Sequence, residues 1–363
     1  MRLDKDFLRL LSLLKGVLHR TETEGAVDVD GVFETAQRQT VEGMLYDIPN
    51  VVLAPNSQLR LQRAYRLTVV ERQSRWMDGQ VATLARKLDE HHVRYAVMKG
   101  QTCAAFYPHP EHRRCGDIDV YVVPRDFDRA NQLLADWGFR LTDRTMLHAT
   151  YQYGKLIVEL HFAIQKLQYA PYYRQLRQIT SEEFDTDTGK DTVIPIGGYP
   201  VRTLPDELNV LLLTTHAFNH VITAGLGLRQ IIDWQVVLSA KHATLRWDKL
   251  MGWLDALRLR RMFLVLAHIN VRHLGMDRRI FTSRGLDIDA KPVQRMAERL
   301  LAWVEVCGNF GHSMDLGTGQ AYFLRYYGLF LLNLVRFFPL NPMEMMAWPW
   351  TKAYRAITHT NHL

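Results

Sequence analysis

An α+β fold is predicted for this chain: a small mixed β-sheet set between a helical arm and a longer helical region. Three observations lead there. Apolar residues recur at helical spacing from both ends of the chain inwards. The period shortens to β-type runs only between about 93 and 204. Two of those runs are joined tightly through Gly154. Strands joined by so short a turn are antiparallel neighbours, so the sheet is not a purely parallel one. The expected organisation is a helical N-terminal region over 1–92, an α/β core over 93–204 and a helical C-terminal domain over 205–363.

Each element has its own signal. Phe7, Leu10, Leu11, Leu14, Val17 and Leu18 mark a helix over 4–20, and a second is expected over 33–46. Asn56-Ser57 can cap a long helix to about His91, with Trp76 or Met77, Val81, Leu84 and Leu88 on one face. Val93 to Met98 reads as a strand that Lys99-Gly100 ends, ahead of a helix over 101–106. A strand over 117–123 follows, then a helix over 126–137 opened by Pro124 and closed by Gly138, then strands near 147–153 and 155–162. Residues 165–204 read as loop-rich, with a Gly-Gly-Tyr-Pro turn. Helices are expected over 205–222, 228–241, 246–274 with a break, 291–306 and 319–338.

Composition sets bounds on function. The chain of 363 residues is 47% hydrophobic and 23% charged, ordinary for a protein with a sizeable core. A net charge of +7 favours anionic partners, but no basic run is dense enough to argue for duplex DNA. Three cysteines form no CxxC pair, which suits a reducing, cytoplasmic setting, and the acidic opening is unlike a secretory leader. The nearest approach to a membrane span, Tyr326 to Val335, is ten residues bounded by Arg325 and Arg336, too short to cross a bilayer.

The chemistry concentrates in Gly116-Asp117-Ile118-Asp119, which enters a run of β-formers. Side chains at i and i+2 of a strand share a face, so the two acids lie about 7 Å apart or closer. Like charges held this way call for a cation between them, and a divalent ion is the usual answer. Gly116 permits a tight turn and a close ligand. Glu159, a charge inside the apolar run Leu156 to Phe162, completes a three-carboxylate cluster if its strand lies beside the Asp-x-Asp strand. Lys99-Gly100 stands where a strand gives way to a helix, a place suited to phosphate oxygens, and Arg113 and Arg114 precede the acids.

Lys99-Gly100, Tyr107-Pro108, Arg113, Gly116-Asp117-Ile118-Asp119 and Val158-Glu159-Leu160-His161, in that order, resemble the bacterial uncharacterised nucleotidyltransferase family of the DNA polymerase β-like superfamily. The resemblance covers roughly 90–165, and more weakly His216 and Leu228 to Trp234. It implies a nucleotidyltransferase fold, two Mg²⁺ ions and transfer of a nucleoside monophosphate from an NTP, ATP being the one expected, to an acceptor hydroxyl with release of pyrophosphate. By position it makes Asp117, Asp119 and Glu159 the metal-binding catalytic acids, and Lys99, Gly100, Arg113 and Gly116 the nucleotide-binding residues. The acceptor is not identified: a small molecule, a sugar, a protein or an RNA end. Where the wider superfamily carries a serine after the loop glycine, this chain has Gln101. That departure favours the alternative of a catalytically inactive nucleotide-binding or scaffold protein of the same fold.

Other residues carry weaker readings. His148 and His161 flank the third strand and are expected to pack or hydrogen-bond, since Mg²⁺ prefers oxygen. His216 and His220 stand one helical turn apart, but two ligands do not make a zinc site. The aromatic runs over 322–332 and 343–350 read either as a core helix with a packed tail or as a peripheral membrane contact.

Overall fold

The computed structural model describes residues 3–21, 25–54, 56–186, 191–223, 225–309 and 319–358. The chain opens with α1 (Lys5–Leu18), strand β1 (Val27–Asp28), α2 (Asp30–Arg38), a 3₁₀ segment (Glu42–Asp47) and β2 (Val51–Val52), which pairs parallel with β1. The helix expected over 33–46 is thus two pieces, because Thr40 turns the backbone to a positive φ of 54° between them. Helix α3 (Ser57–Glu90) is capped as its sequence implies, Asn56 Oδ1 accepting from Leu59 N at 2.8 Å. Met77 rather than Trp76 joins Val81, Leu84 and Leu88 on its buried face.

Strands β3 (Tyr95–Met98) and β4 (Ile118–Val122) are separated by α4 (Gly100–Ala104), and α5 (Phe127–Asp136) leads to β5 (Arg140–Arg144), β6 (His148–Tyr153) and β7 (Leu156–His161). Residues 165–204 are more ordered than their sequence suggests. They hold α6 (Ala170–Thr180) and a hairpin of β8 (Thr192–Ile196) and β9 (Tyr199–Thr203), turned at Gly197 (φ 55°) and Gly198 (φ 77°). The hairpin is hidden because Pro195 and Pro200 sit opposite one another in it, and proline argues against a strand. β5 is missed for a different reason: all five residues of this sheet-edge strand are exposed, so it has no apolar alternation.

The seven strands run in the order β5-β6-β7-β4-β3-β9-β8, antiparallel except for β4 with β7 and β3 with β9. The sheet is mixed, as the sequence implies. One face, carrying Tyr95, Val97, Ile118, Val120, Val122, Val158 and Leu160, is buried with α3 and α5. The opposite face carries Ala96, Met98 and Tyr121 into a second core with the helices that follow: α7 (Asp206–Ile222), α8 (Leu228–Lys241), α9 (Trp247–Ala256), α10 (Arg260–Leu274), α11 (Arg279–Thr282) and α12 (Lys291–Cys307). Phe7, Leu10, Leu11 and Leu14 of α1 belong to that second core too.

Helices α13 (Gly319–Arg336) and α14 (Pro342–Thr358) complete the chain. Phe330 and Trp348 meet edge to face at 5.9 Å and join the core, whereas Leu331, Leu332, Val335 and Trp350 are exposed. The side chains of 322–324, the start of the aromatic run, lie outside the described residues. No described helix is long and apolar enough to cross a membrane.

Candidate active site

Alternation along β4 decides where its acids go. Ile118, Val120 and Val122 fill the α3 side, so Asp119 and Tyr121 face the helical side. Asp119 stands directly opposite Glu159 in the parallel β4–β7 register, and directly opposed residues share a face. The same face of β7 carries His161, and His148 of β6 stands opposite it. Asp117 lies just before β4.

Within this cluster Asp119 is 7% exposed. Its Oδ1 accepts from Lys99 Nζ at 2.8 Å and from His161 Nε2 at 2.8 Å. Glu159 Oε2 lies 3.3 Å from His161 Nε2 and 3.5 Å from His148 Nδ1. Burial would raise the Asp119 carboxyl, but the Lys99 charge and the His161 bond outweigh it and hold Asp119 below the ordinary carboxylate range. Asp117 has no such hydrogen bond among the described residues, and burial together with the Asp119 charge outweighs the Lys99 and Arg229 charges and pushes it up to about 6. Two neighbouring carboxylates with a third opposite form an oxygen donor set that fits a hard divalent cation such as Mg²⁺.

The loop after β3 brings Lys99 to this point. Lys99 and Gly100 both have positive φ, 53° and 38°. A Cβ on Gly100 would lie 3.1 Å from Cys115 Sγ, so the position needs glycine for backbone and for space. The residue after it, Gln101, is buried and turned toward α3, where its amide bonds the Asp78 carboxylate.

Arg113, expected among the phosphate contacts, lines the cleft but is fully engaged. Its Nε and Nη2 donate to the two oxygens of Asp233 at 2.7 Å each, and Nη1 donates to Arg114 O at 3.3 Å. Tyr107 Oη adds a 2.7 Å bond to the same carboxylate. Arg114 pairs with Glu42 at 2.9 Å, and Arg229 donates to Arg114 O at 3.1 Å.

Lys99, the three acids, Arg113, Arg114, Arg229 and Asp233 line a cleft of about 640 Å³ whose walls come from three stretches of the chain. Lys99, Gly100, Arg113, Gly116, Asp117, Asp119 and Glu159, the seven site residues expected from sequence, all reach it. So does Gln230 of α8, within the run that resembles the family, and so do residues that the sequence did not single out: Arg38 and Thr40 from the arm and Asn309 beyond α12. No local signal marks them, since only the packing of distant segments brings them here. His216 also lines the cleft, and burial together with the Lys99 charge keeps its imidazole well below the ordinary range, hence neutral. Its Nε2 lies 3.1 Å from His220 Nε2, so the pair is a hydrogen bond.

An α+β protein with a mixed sheet thus presents three acids to a cleft that also holds Lys99, Arg38, Arg113, Arg114 and Arg229. Residues 25–275 match the uncharacterised nucleotidyltransferase family, and the chain belongs to it. It is accordingly a nucleotidyltransferase. Solved structures similar to it include the solution structure of the antibiotic-resistance factor ANT(2'')-Ia, at 18% identity over 53% of this chain and 98% of that one, TM-score 0.35. The crystal structure of ANT(2'')-Ia with adenylyl-2''-tobramycin is similar at 16% identity over 50% and 98%, TM-score 0.36. An antigenic nucleotidyltransferase-like protein from Paracoccidioides brasiliensis is similar at 20% identity over 56% and 96%, TM-score 0.34. Comparison with curated protein sequences finds no match.

Proposed function

We propose that the chain transfers a nucleoside monophosphate from an NTP, ATP in the first instance, to an acceptor hydroxyl and releases pyrophosphate in a Mg²⁺-dependent reaction. The observation that carries this reading is the register of Asp119 against Glu159, which sets both carboxylates on the face lining the cleft. Asp117, Asp119 and Glu159 would hold the metal, which would supply positive charge to the phosphates and lower the pKa of the attacking hydroxyl. The bonds from Lys99 and His161 fix the Asp119 carboxylate before any ligand arrives. Glu159, only half-buried, takes the proton of the acceptor hydroxyl. Arg38, Arg114 and Arg229 supply positive charge along the phosphates, and Arg113 braces the wall behind them. His216, being neutral, orients the acceptor without repelling a cation.

The test is incubation with each α-labelled NTP and Mg²⁺ in the presence of candidate acceptors, with pyrophosphate release measured in parallel. Label transfer and release should both fall at least 1,000-fold in Asp119→Asn, on the order of a lost group that stabilises the transition state. Wild-type rates in that variant would retire the reading. The orientation of Gln101 favours a second reading, a silent nucleotide-binding protein, because no side chain at that position grips a phosphate from the cleft. NTP binding with no pyrophosphate released by the wild type is its signature.

A further inference from the structure

The proposed chemistry uses His161 only as a hydrogen-bond partner of Asp119 and leaves His148 without a role, yet the placement of the two imidazoles is specific. His148 and His161 stand opposite each other on β6 and β7, with ring centroids 4.9 Å apart, on the face that carries Glu159. Donor atoms of His148, Glu159 and His161 all lie within 4.8 Å of one another. Glu159 Oε2 is 3.3 Å from one imidazole nitrogen and 3.5 Å from the other. Donors about 2.0–2.1 Å from a tetrahedral zinc ion are separated by about 3.3–3.5 Å, so these spacings are those of two edges of such a site. They are longer than a good N–H···O bond.

A second observation is independent of the spacing. His148 Nδ1, the atom that faces Glu159, is buried and has no hydrogen-bond partner among the described residues. A buried ring nitrogen left unsatisfied beside a carboxylate oxygen costs free energy that a shared cation would recover. A metal at His161 Nε2 would replace the proton that this atom donates to Asp119 Oδ1 at 2.8 Å and release it to solvent, which ties the site to the proposed catalytic acids.

We propose that His148, Glu159 and His161 form a mixed nitrogen–oxygen site for a transition-metal dication, binding Zn²⁺ more tightly than Mn²⁺ and both far more tightly than Mg²⁺. Imidazole nitrogen suits zinc, whereas manganese and still more magnesium prefer oxygen donors, and three protein donors leave a fourth coordination position open. The site shares Glu159 with the proposed magnesium set, so zinc and magnesium compete for that carboxylate, and only this link to catalysis rests on the proposed function.

The experiment uses the full chain stripped of metal with a chelator, titrated with ZnCl₂, MnCl₂ and MgCl₂ by calorimetry and with CoCl₂ by visible absorption. The expected result is one Zn²⁺ per chain, at least 100-fold tighter than Mg²⁺, and Co²⁺ d–d bands of tetrahedral or five-coordinate intensity. His148→Gln and His161→Gln should each weaken Zn²⁺ at least tenfold and remove the Co²⁺ bands, with folding checked by circular dichroism. Asp117→Asn should abolish nucleotidyl transfer yet leave Zn²⁺ affinity within twofold, so failure of the metal site and failure of the proposed function are told apart. Equal affinity for Zn²⁺ and Mg²⁺ would overturn the site, as would Zn²⁺ binding that survives in His148→Gln. Loss of zinc in His109→Ala would also overturn it, since His109 belongs to a separate group with Asp47 and His112.

Discussion

Replacing Arg113 with alanine separates two roles for a residue that the sequence assigns to phosphate binding. Its guanidinium forms a two-pronged pair with Asp233, both bonds at 2.7 Å, and the side chains are 5% and 6% exposed. Arg113→Ala leaves Asp233 buried with Tyr107 Oη as its remaining donor, and breaking a buried pair from one side costs about 3–5 kcal/mol. Asp233→Ala should cost a similar amount. The double variant removes both charges and should cost clearly less than the sum, giving a coupling energy of about 2–3 kcal/mol. Arg113→Lys should restore little, because an ammonium cannot reproduce the two parallel bonds. Urea unfolding of the four proteins measures the cycle, and steady-state kinetics on the same samples gives KM for the NTP. Should Arg113→Ala cost under about 1 kcal/mol while KM rises tenfold or more, the arginine grips nucleotide and the bracing argument fails.

Three further outcomes follow from the same geometry. Gly100→Ala, which places a Cβ 3.1 Å from Cys115 Sγ at a φ of 38°, should destabilise by about 1–2 kcal/mol and lower activity by displacing Lys99; a wild-type melting temperature would contradict this. Gln39→Ala removes the amide that donates to Val304 O and accepts from Leu228 N; Val304 O keeps its bond from Gly308 N but Leu228 N is stranded, and the change should cost about 1–3 kcal/mol in urea unfolding. Burial pushes the Glu344 carboxyl up from its ordinary 4.5 to about 7 despite bonds from Gln168 N and Tyr169 N. The folded chain therefore holds a proton there that the unfolded chain has already released. Its stabilising effect is full below pH 4.5 and is lost as pH rises through 7, worth about 3 kcal/mol. Wild type should lose stability relative to Glu344→Gln between pH 5 and 8; parallel curves would refute the assignment.

How much of this was legible beforehand depends on the range over which each signal acts. The acids were legible because strand alternation is a two-residue rule. Given that β4 and β7 are strands, only their adjacency remained to be supplied, and the register of Asp119 on Glu159 supplies it. Helices with a cap and an apolar stripe were legible for the same reason, α3 from Asn56 through Leu88 above all. The β8–β9 hairpin was not, because its two prolines oppose local propensity and tertiary pairing overrides them.

The partner of Arg113 lies 120 residues away, and no spacing rule reaches that far. The cleft's second wall is legible only after folding, when Gln39 of the arm is bonded to α8 and α12 at once. That long-range tie has a functional consequence. Asp119 and Glu159 stand on adjacent strands interior to the sheet, each fixed from both sides, whereas Arg38 and Thr40 line the same cleft only because the arm docks against the C-terminal helices. Substitutions that loosen the arm should therefore weaken NTP and acceptor binding before they disturb the acids. Gln39→Ala should raise KM more than it lowers kcat, the reverse of the pattern expected for Asp119→Asn.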